Sequence, residues 1–436
     1  MSIQELLNRD IHCSCGKTHR CDIDTVEIGR DALELLPNAV LRYANILLVA
    51  DGNTYPLCGD RVKALLGERL SGVCLFDTTD PLVPDEAAIA EIRAHLTAET
   101  DLILGIGSGV INDLCKYVSF YHGCKSGILA TAPSMDGYAS SGAAMILGGM
   151  KVTDTTHAPA IILGDTALLK SAPLHMIRSG YGDIIGKYSS LCDWELAHLV
   201  CGEHFCKPIY DLVMKTTDEI RDCAAAIVAR EDAAIECLMR ALVLIGMTLT
   251  LVETTRPGSG SEHHLSHFFE IVGLVHHQKH LAHGTDVAYN TILTAGMREQ
   301  ICHMEKPVFC EESAQSRTAA WSRIYRHVAT EVEQLQREAK SYETDRKPVY
   351  TEQWDAIRKI LSKCPTAAQI NCMMEAAGLH FSECEEAYGF EKIRDAMLYG
   401  KDLKNRYSVL WIYYALFSGD PAAVDAQSFI AKEAKA

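Results

Sequence analysis

Short apolar segments alternate with amphipathic segments between about residues 40 and 165. The apolar segments are long enough for strands, and each is followed by a stretch with helical periodicity. Because the strands are apolar on both faces, the pattern predicts a parallel, doubly wound sheet covered by helices. A polar, glycine-containing segment at 140–156 predicts a hairpin inserted between strands. The predicted strands are 45–50, 72–76, 102–105, 127–130 and 160–163, and the helices between them are 60–70, 85–96 and 110–121.

Beyond residue 165 the strand signals fade and helical periodicity dominates. A chain of 436 residues is too long for one ordinary core. We therefore expect two domains, an α/β domain with a Rossmann-like parallel sheet at 1–165 and an all-α domain at 166–436. The stretches with helical periodicity are 167–178, 183–199, 212–230, 233–251 and 317–342.

Composition indicates a globular protein and narrows the partners. Hydrophobic residues make up 48% and charged residues 22% of the chain. The net charge of −16 argues against nucleic acid or an anionic membrane surface as a partner. The sequence shows no apolar run of about 18 residues and no secretory signal, so we expect a cytoplasmic protein without a membrane span. The 17 cysteines are scattered and odd in number, which favours buried thiols.

A glycine-rich turn follows the third predicted strand and opens a helix. Its sequence runs Gly105-Ile-Gly107-Ser-Gly109. Glycines at such a turn let the backbone approach a pyrophosphate, and the helix N-terminus offers unpaired N–H groups. The spacing is G-x-G-x-G, which differs from the usual dinucleotide fingerprint, so a tight turn without a ligand is the alternative.

Polar loops follow two other predicted strands, where ligands of open α/β sheets bind. One loop covers 130–141 and contains Thr131, Ser134, Asp136 and Ser140. The other begins at Asp51, which is expected either to contact the adenosine part of a nucleotide or simply to form a turn with its following glycine.

Seven of the 18 histidines fall within 21 residues, which predicts a metal site. His263 and His267 are spaced to share one helix face, and His283 ends the second histidine-rich stretch. Asp183 follows two glycines at a predicted helix start, where an N-cap role is the alternative. With His263 and His283 it gives one carboxylate and two imidazoles, and three protein ligands leave a position open for catalysis. The remaining histidines are expected to face solvent or to support the ligands: His264, His276, His277 and His280.

A cysteine-rich segment near the N-terminus looks like a small zinc knuckle. It contains Cys13, Cys15, His19 and Cys21. The C-x-C and C-x5-C spacings differ from the paired C-x2-C arrangement of common zinc sites. We therefore expect a β-hairpin here that binds no metal.

In order along the chain, these motifs resemble those of one family. The glycine turn is followed by Ala-Pro-Ser-Met-Asp-Gly, Gly-Asp-Ile-Ile-Gly-Lys, Gly-Ser-Gly-Ser-Glu-His-His-Leu-Ser-His and Ala-His-Gly. The order resembles the sn-glycerol-1-phosphate dehydrogenases, particularly their bacterial branch, from about residue 10 to beyond 290. These belong with the iron-containing alcohol dehydrogenases, glycerol dehydrogenase and dehydroquinate synthase, so the resemblance implies a dehydroquinate synthase-like architecture.

The resemblance also implies roles for individual residues. One divalent metal per chain, zinc, nickel or iron, would be bound by Asp183, His263 and His283. Substrate would contact Asp136, Asp183 and His267, and these ligands and His267 form the catalytic set. NAD or NADP would be held by Asp51, Gly107, Ser108, Gly109, Val110, Ile111, Thr131, Ser134 and Ser140.

The activity implied is reversible reduction of dihydroxyacetone phosphate to sn-glycerol 1-phosphate. His267 is our candidate for the proton relay, while Lys187, Arg256 and the surplus histidines are candidates for binding the substrate phosphate. The predicted long helices would support a homodimer. The alternatives are a glycerol or other polyol dehydrogenase, a dehydroquinate synthase-like lyase, and a metal-storage or metal-sensing protein. The lyases have Glu where Asp183 stands, and Gly-His-x-x-Gly-His where this chain has Glu-His-His-Leu-Ser-His, which counts against that alternative.

Overall fold

The structure is a computed structural model that describes residues 2–78, 80–148, 150–310, 312–419 and 424. Its internal contacts divide the chain into two compact units, each discontinuous in sequence. The sheet unit comprises Met1–Ile184 and Asp218–Thr255, and the helical unit comprises Ile185–Thr217 and Arg256–Ala436.

Three sheets are present in the described chain, and the largest is parallel. The strands are β1 (Ile11–His12), β2 (Thr18–His19), β3 (Thr25–Gly29), β4 (Ile46–Asp51), β5 (Leu70–Phe76), β6 (Leu102–Gly107), β7 (Lys125–Ala130), β8 (Gly142–Leu147), β9 (Met150–Thr155) and β10 (Ile161–Asp165). Six of them pair in the order β3-β10-β7-β6-β4-β5, while β1–β2 and β8–β9 form antiparallel hairpins.

Helices connect the parallel strands and continue through the rest of the chain. The first ten are α1 (Leu36–Ala39), α2 (Tyr55–Leu66), α3 (Glu86–Ala94), α4 (Gly109–His122), α5 (Thr166–Ser171), α6 (Leu174–Ile185), α7 (Lys187–Cys201), α8 (Lys207–Arg221), α9 (Ala224–Val228) and α10 (Asp232–Val252). The others are α11 (Ser261–His276), α12 (His283–Cys302), α13 (Ala314–Tyr325), α14 (Ala329–Glu338), α15 (Lys347–Glu352), α16 (Trp354–Leu361), α17 (Ala367–Ala376), α18 (Ser382–Tyr399) and α19 (Val409–Phe417).

The predicted fold class is confirmed. All five predicted strands lie in the parallel sheet, and the 140–156 hairpin is present as β8–β9. Every residue of β6 and β10 is buried, as expected where helices cover both faces of a sheet. The edge strand β3 was not predicted, because its five residues carry a glutamate and show only a short alternation of buried and half-buried positions.

The strand order creates a natural ligand-binding edge in the sheet unit. The chain leaves β5 on one side of β4 and returns as β6 on the other side. Such a reversal of direction leaves a crevice at the carboxyl ends of β4 and β6. Asp51 ends β4 and Gly107 ends β6, so the polar turn residues predicted from the sequence lie at this edge.

Helix α10 belongs to the sheet unit, although the segment Ile185–Thr217 of the helical unit separates it in sequence from the strands. By length and composition it is the one described helix apolar enough to cross a membrane, and 72% of its most apolar window is buried. That burial is typical of a core helix in a folded protein. Its Gly246 allows the helix to approach the 131–141 loop closely, since a Cβ there would lie 2.4 Å from the Asp136 carbonyl oxygen.

Candidate functional site

The glycine turn joins β6 to α4 in the sheet unit. Ser108 is the N-cap residue of α4 and makes no side-chain capping hydrogen bond. The first N–H groups of a helix have no acceptor within the helix, so this end suits an anion such as a pyrophosphate. The glycines have a packing role as well. A Cβ on Gly107 would lie 2.6 Å from the Cβ of Ile111, so a larger residue would push α4 off the strand.

The 131–141 loop runs beside this turn and is tied to it. The Thr131 N–H donates to the Gly107 carbonyl over 3.0 Å. Further along, the fully buried Lys116 ammonium donates to the carbonyl oxygens of Gly137 (3.2 Å) and Ser140 (3.4 Å), and also to that of Gly142. The same ammonium pairs with Asp113 at 2.8 Å. One cation on α4 therefore fixes the loop that carries several predicted cofactor residues.

The predicted cofactor residues thus gather at one edge of the sheet unit. Ser134 and Ser140 are buried, and the Ser140 hydroxyl donates within the loop to the Gly137 carbonyl over 3.1 Å. Asp51 has the local role that was its alternative. Its Oδ1 accepts from the N–H groups of Asn53 (2.9 Å) and Thr54 (2.8 Å), which closes the turn into α2.

Asp183 lies in the last turn of α6, so the prediction that it begins a helix is wrong. The two glycines before it do not break the helix. Instead, Gly180 lets α6 contact the loop, because a Cβ there would lie 1.9 Å from the Pro133 carbonyl oxygen. Asp183 is fully buried, and its Oδ2 accepts the Asp136 N–H over 2.9 Å. The two predicted substrate contacts of the sheet unit, Asp136 and Asp183, are therefore neighbours.

In the helical unit, His263 lies in the first turn of α11 with its ring held by a carboxylate. The distance from His263 Nδ1 to Glu262 Oε1 is 2.7 Å, and the same oxygen accepts the Gly260 N–H over 2.7 Å. Burial raises the pKa of Glu262, but these hydrogen bonds outweigh it and bring the pKa below its usual value. A carboxylate that accepts from Nδ1 leaves Nε2 as the metal-binding nitrogen.

His267 and His283 lie beside His263. The ring centroids of His263 and His283 are 5.2 Å apart, and those of His267 and His283 are 6.2 Å apart. His263 is buried, whereas His267 and His283 are half-buried. The i, i+4 spacing on α11 and the first residue of α12 therefore bring together the three histidines predicted from the sequence.

The start of α11 is anchored by buried charges within the helical unit. Asp193 of α7 accepts the Ser261 N–H through Oδ2 over 2.6 Å, and its Oδ1 lies 3.2 Å from Arg298 of α12. Arg298 also donates to the Ser261 hydroxyl over 3.0 Å. This network was not predicted, because its members are far apart in sequence and no local motif connects them.

The structure changes which side chains are candidates for binding the substrate phosphate. Lys187 is fully buried and donates to the Gly258 carbonyl over 2.9 Å, which gives it a structural role. Arg256 is buried and paired with Glu203. Arg406, which the sequence did not suggest, is half-buried, and burial together with the charge of Arg256 lowers its pKa to about 10. Its Nη1 donates to the Ser259 carbonyl over 3.1 Å, just before α11.

His264 does not face solvent, which was one of its two predicted positions. It is fully buried, and neither ring nitrogen has a hydrogen-bond partner among the described residues. Burial, with further contributions from Lys404 and Arg406, lowers its pKa well below the usual range, so the ring is neutral at pH 7. The charges of Lys404, Arg406 and Arg256, the cationic group, all act on this ring.

Three groups of side chains in the described chain have donor atoms suitable for a metal ion. The first is the predicted set of Asp183, His263 and His283. Its carboxylate and imidazole donors suit zinc, nickel or iron, and the hydrogen bond from His263 to Glu262 is the support that metal-binding histidines usually have. The other groups are Cys74 with Glu91 and His95, and Cys13 with Cys15, His19 and Cys206.

Comparison with known sequences agrees with these features. The profile of the iron-containing alcohol dehydrogenases matches residues 27–173. A glycerol-1-phosphate dehydrogenase [NAD(P)+] of Halalkalibacterium halodurans is 33% identical over 292 residues, which are 65% of this chain and 73% of the relative. The enzyme of the same name from Geobacillus thermodenitrificans is 29% identical over 84% of this chain and 86% of the relative.

Solved structures agree on the fold. An archaeal alcohol dehydrogenase from a Red Sea brine pool superposes with a TM-score of 0.59 at 13% identity, over 94% of this chain and 98% of the other. The family resemblance drawn from the motifs is confirmed by the sequence comparisons. The chain belongs to the glycerol-1-phosphate dehydrogenase family, within the iron-containing alcohol dehydrogenases.

Proposed function

We propose that the protein is an NAD(P)- and metal-dependent sn-glycerol-1-phosphate dehydrogenase that reversibly reduces dihydroxyacetone phosphate. The observation that carries the proposal is the similarity to glycerol-1-phosphate dehydrogenases over most of their length, up to 33% identity. The relatives' names support an oxidoreductase that uses NAD(P) and a small phosphorylated substrate. The sn-1 stereochemistry and a role in making phospholipids are part of the proposal.

The cofactor is proposed to bind at the edge formed by β4, β6 and the loop after β7. Support comes from the helix N-terminus behind Ser108 and from the loop tied to Gly107 by the Thr131 N–H. Backbone groups Gly107 to Ile111 would bind the pyrophosphate, with Thr131, Ser134 and Ser140 beside it. Asp51 would accept a ribose hydroxyl through an oxygen other than the one closing its own turn, which would favour NAD over NADP.

A divalent ion is proposed to bind to Asp183, His263 and His283. The donor set fits zinc, nickel or iron, because one carboxylate and two imidazoles leave positions for substrate. When bound, the ion would polarise the substrate carbonyl while the nicotinamide supplies hydride. The protein holds the donors in place through Glu262, which orients the His263 ring, and through the Asp136 N–H, which donates to Asp183.

His267 is proposed to deliver the proton to the carbonyl oxygen during reduction. It is half-buried, so its ring can exchange protons with solvent, and it lies one helical turn beyond His263. Asp136 would bind a substrate hydroxyl through its carboxylate.

The substrate phosphate is proposed to bind at the cationic group of Arg256, Lys404 and Arg406. A buried cation with a lowered pKa gains stability when an anion is added nearby. Arg256 is paired with Glu203, and Arg406, whose pKa burial lowers, is the proposed principal donor.

The first prediction is a substrate preference. With NADH or NADPH and a bound divalent ion, kcat/KM for dihydroxyacetone phosphate should exceed that for dihydroxyacetone by at least ~100-fold, since charged hydrogen bonds to phosphate contribute about 1.5–3 kcal/mol each. Steady-state assays measure this ratio, and chiral analysis of the product should give sn-glycerol 1-phosphate. A preference for the unphosphorylated ketone would support a polyol dehydrogenase and contradict the proposal.

A cytoplasmic location and a homodimer complete the proposal. The 17 cysteines form no disulfide in the described chain, as is usual in a reducing compartment.

A further inference from the structure

The hairpin formed by β1 and β2 brings metal-binding side chains together at a second place in the molecule. Cys13 and Cys15 lie in its turn, and His19 ends its second strand. The candidate metal-ligand group that contains these three residues also contains Cys206. We propose that Cys13, Cys15, His19 and Cys206 bind a structural zinc ion, separate from the catalytic ion.

Two backbone hydrogen bonds close the turn of the hairpin. The Cys13 N–H donates to the Lys17 carbonyl over 3.0 Å, and the Gly16 N–H donates to the Cys13 carbonyl over 3.1 Å. Gly16 has a φ of +87°, which a residue with a side chain rarely adopts. The chain therefore folds back tightly between the two cysteines and the histidine, so a C-x-C spacing is sufficient to bring the thiols together.

The ring of His19 is held in one orientation by a backbone carbonyl. His19 Nδ1 lies 2.6 Å from the Leu251 carbonyl oxygen, which can only accept, so Nδ1 carries the proton. The other nitrogen, Nε2, therefore has the lone pair, and it lies 3.3 Å from Cys15 Sγ. Tetrahedral zinc with ordinary Zn–S and Zn–N bonds separates such atoms by roughly 3.5 Å. A carbonyl that fixes the tautomer is also typical support for a histidine bound to metal.

The choice of zinc follows from the donors. Three cysteine sulfurs and one imidazole make a closed tetrahedral set without a position for water, which is typical of structural zinc and not of a catalytic ion. His19 and Cys206 are both buried. Cys21, next in the motif, lies outside this group of donor atoms.

A metal would also explain how so small a hairpin is held. The strands β1 and β2 have two residues each, and a hairpin of that size is not stable by itself in water. Metal ligation supplies the missing free energy in many small motifs of this kind. The proposed role of zinc is to hold residues 11–19 in place, without taking part in the reaction.

The test isolates this site from the catalytic one by using His263→Ala as background. Purified with zinc in the growth medium, this variant should contain roughly one zinc per chain by elemental analysis, while Cys13→Ser and Cys15→Ser in the same background should contain almost none. His12→Ala is the matched control, because His12 lies in the same hairpin but outside the metal-ligand group, and it should leave the zinc content unchanged. Cys206→Ser should behave like the other cysteine variants.

A second measurement covers variants that fail to fold. Cobalt added to metal-free His263→Ala should produce a near-ultraviolet thiolate-to-cobalt charge-transfer band, which an Asp/His site cannot produce. Zinc content that is unaffected by Cys13→Ser, or absence of that band, would overturn the proposal. So would a disulfide among these cysteines in protein purified without oxidant, detected by thiol titration before and after reduction. None of these outcomes depends on the substrate, so the proposed activity and the zinc site can fail independently.

Discussion

At the scale of single residues, the position of His263 depends on its sequence neighbour Glu262. The carboxylate is fully buried, accepts from His263 Nδ1, and is itself held by the Gly260 N–H. Gly260 allows this geometry because a Cβ there would lie 2.6 Å from Ser190 Cα. The residue that orients the ring is therefore fixed before any ion binds, and this lowers the entropy cost of binding.

The second prediction concerns Glu262→Gln. The amide keeps the size of the side chain but loses the charge that strengthens the hydrogen bond from His263, so affinity for the catalytic ion should fall by about 10–100-fold. Competition with a metal indicator measures the dissociation constant, and kcat should recover when excess metal is added. Glu262→Asp, with its shorter side chain, serves as a comparison that keeps the charge. Unchanged metal affinity in Glu262→Gln would show that the carboxylate does not act on the ligand.

Site residues were predictable from the sequence where they belong to a short motif. The spacing of His263 and His267 predicted that they share one helix face, and the histidine-rich segment that ends at His283 predicted one metal site; the ring distances agree. Lys187 and Arg406 show the limit. A lysine beside a glycine-rich motif looks like an anion-binding residue, but here it is buried against a backbone carbonyl. Arg406 lies in a region without a motif and becomes relevant only when the fold brings it to Ser259.

At the scale of elements, the loop after β7 is held by Lys116, a residue of α4 that the sequence did not single out. The ammonium has no exposed surface and donates to three carbonyl oxygens of the 137–142 segment. Asp113 compensates its charge one helical turn earlier. This arrangement ties the helix that begins at the glycine turn to the loop beside it, so both sides of the proposed cofactor site are supported by the same side chain.

The third prediction is that Lys116→Met destabilises the protein and weakens cofactor binding. Removing the cation leaves a partly buried carboxylate and several carbonyl oxygens without their donor, which should lower the free energy of unfolding by about 3–5 kcal/mol. Urea unfolding measures stability, and NADH fluorescence titration measures affinity. Lys125→Met is the matched control, because Lys125 is exposed in β7 and should change neither quantity. Equal stability of the two variants would contradict this role for Lys116.

Elements were predictable in type but less so in their ends and partners. The buried strands were found because both their faces are apolar, whereas β3 was missed as a short edge strand. Asp183 was expected at a helix start since two glycines precede it. In the fold those glycines lie within α6, where Gly180 accommodates the Pro133 carbonyl. A glycine selected for close packing and one selected for a helix end look the same in a sequence. The grouping of Cys206 with Cys13 and Cys15, almost 200 residues away, depends entirely on the tertiary structure.

At the scale of the whole molecule, the proposed chemistry is divided between two units of the chain. The residues proposed to bind the cofactor all belong to the sheet unit, whereas the three histidines and the cationic group belong to the helical unit. The net charge of −16 opposes both an anionic cofactor and an anionic substrate. Local donors must therefore overcome it, namely the N-terminus of α4 for the pyrophosphate and Arg406 for the substrate phosphate.

This division leads to the last prediction, on His263→Ala. Removing one imidazole from a three-ligand site should release the catalytic ion and lower kcat with dihydroxyacetone phosphate by at least ~1,000-fold, because the ion contributes several kcal/mol to stabilising the transition state. The dissociation constant for NADH, measured by fluorescence, should change by less than about twofold, since the glycine turn and its loop keep all their hydrogen bonds.

His280→Ala is the matched control, as this exposed histidine from the same cluster lies outside the ligand set and should leave metal content and turnover intact. If His263→Ala kept full activity after chelation, the ligand assignment would be wrong. If it lost NADH binding along with the metal, the two sites could not be assigned to separate sets of residues.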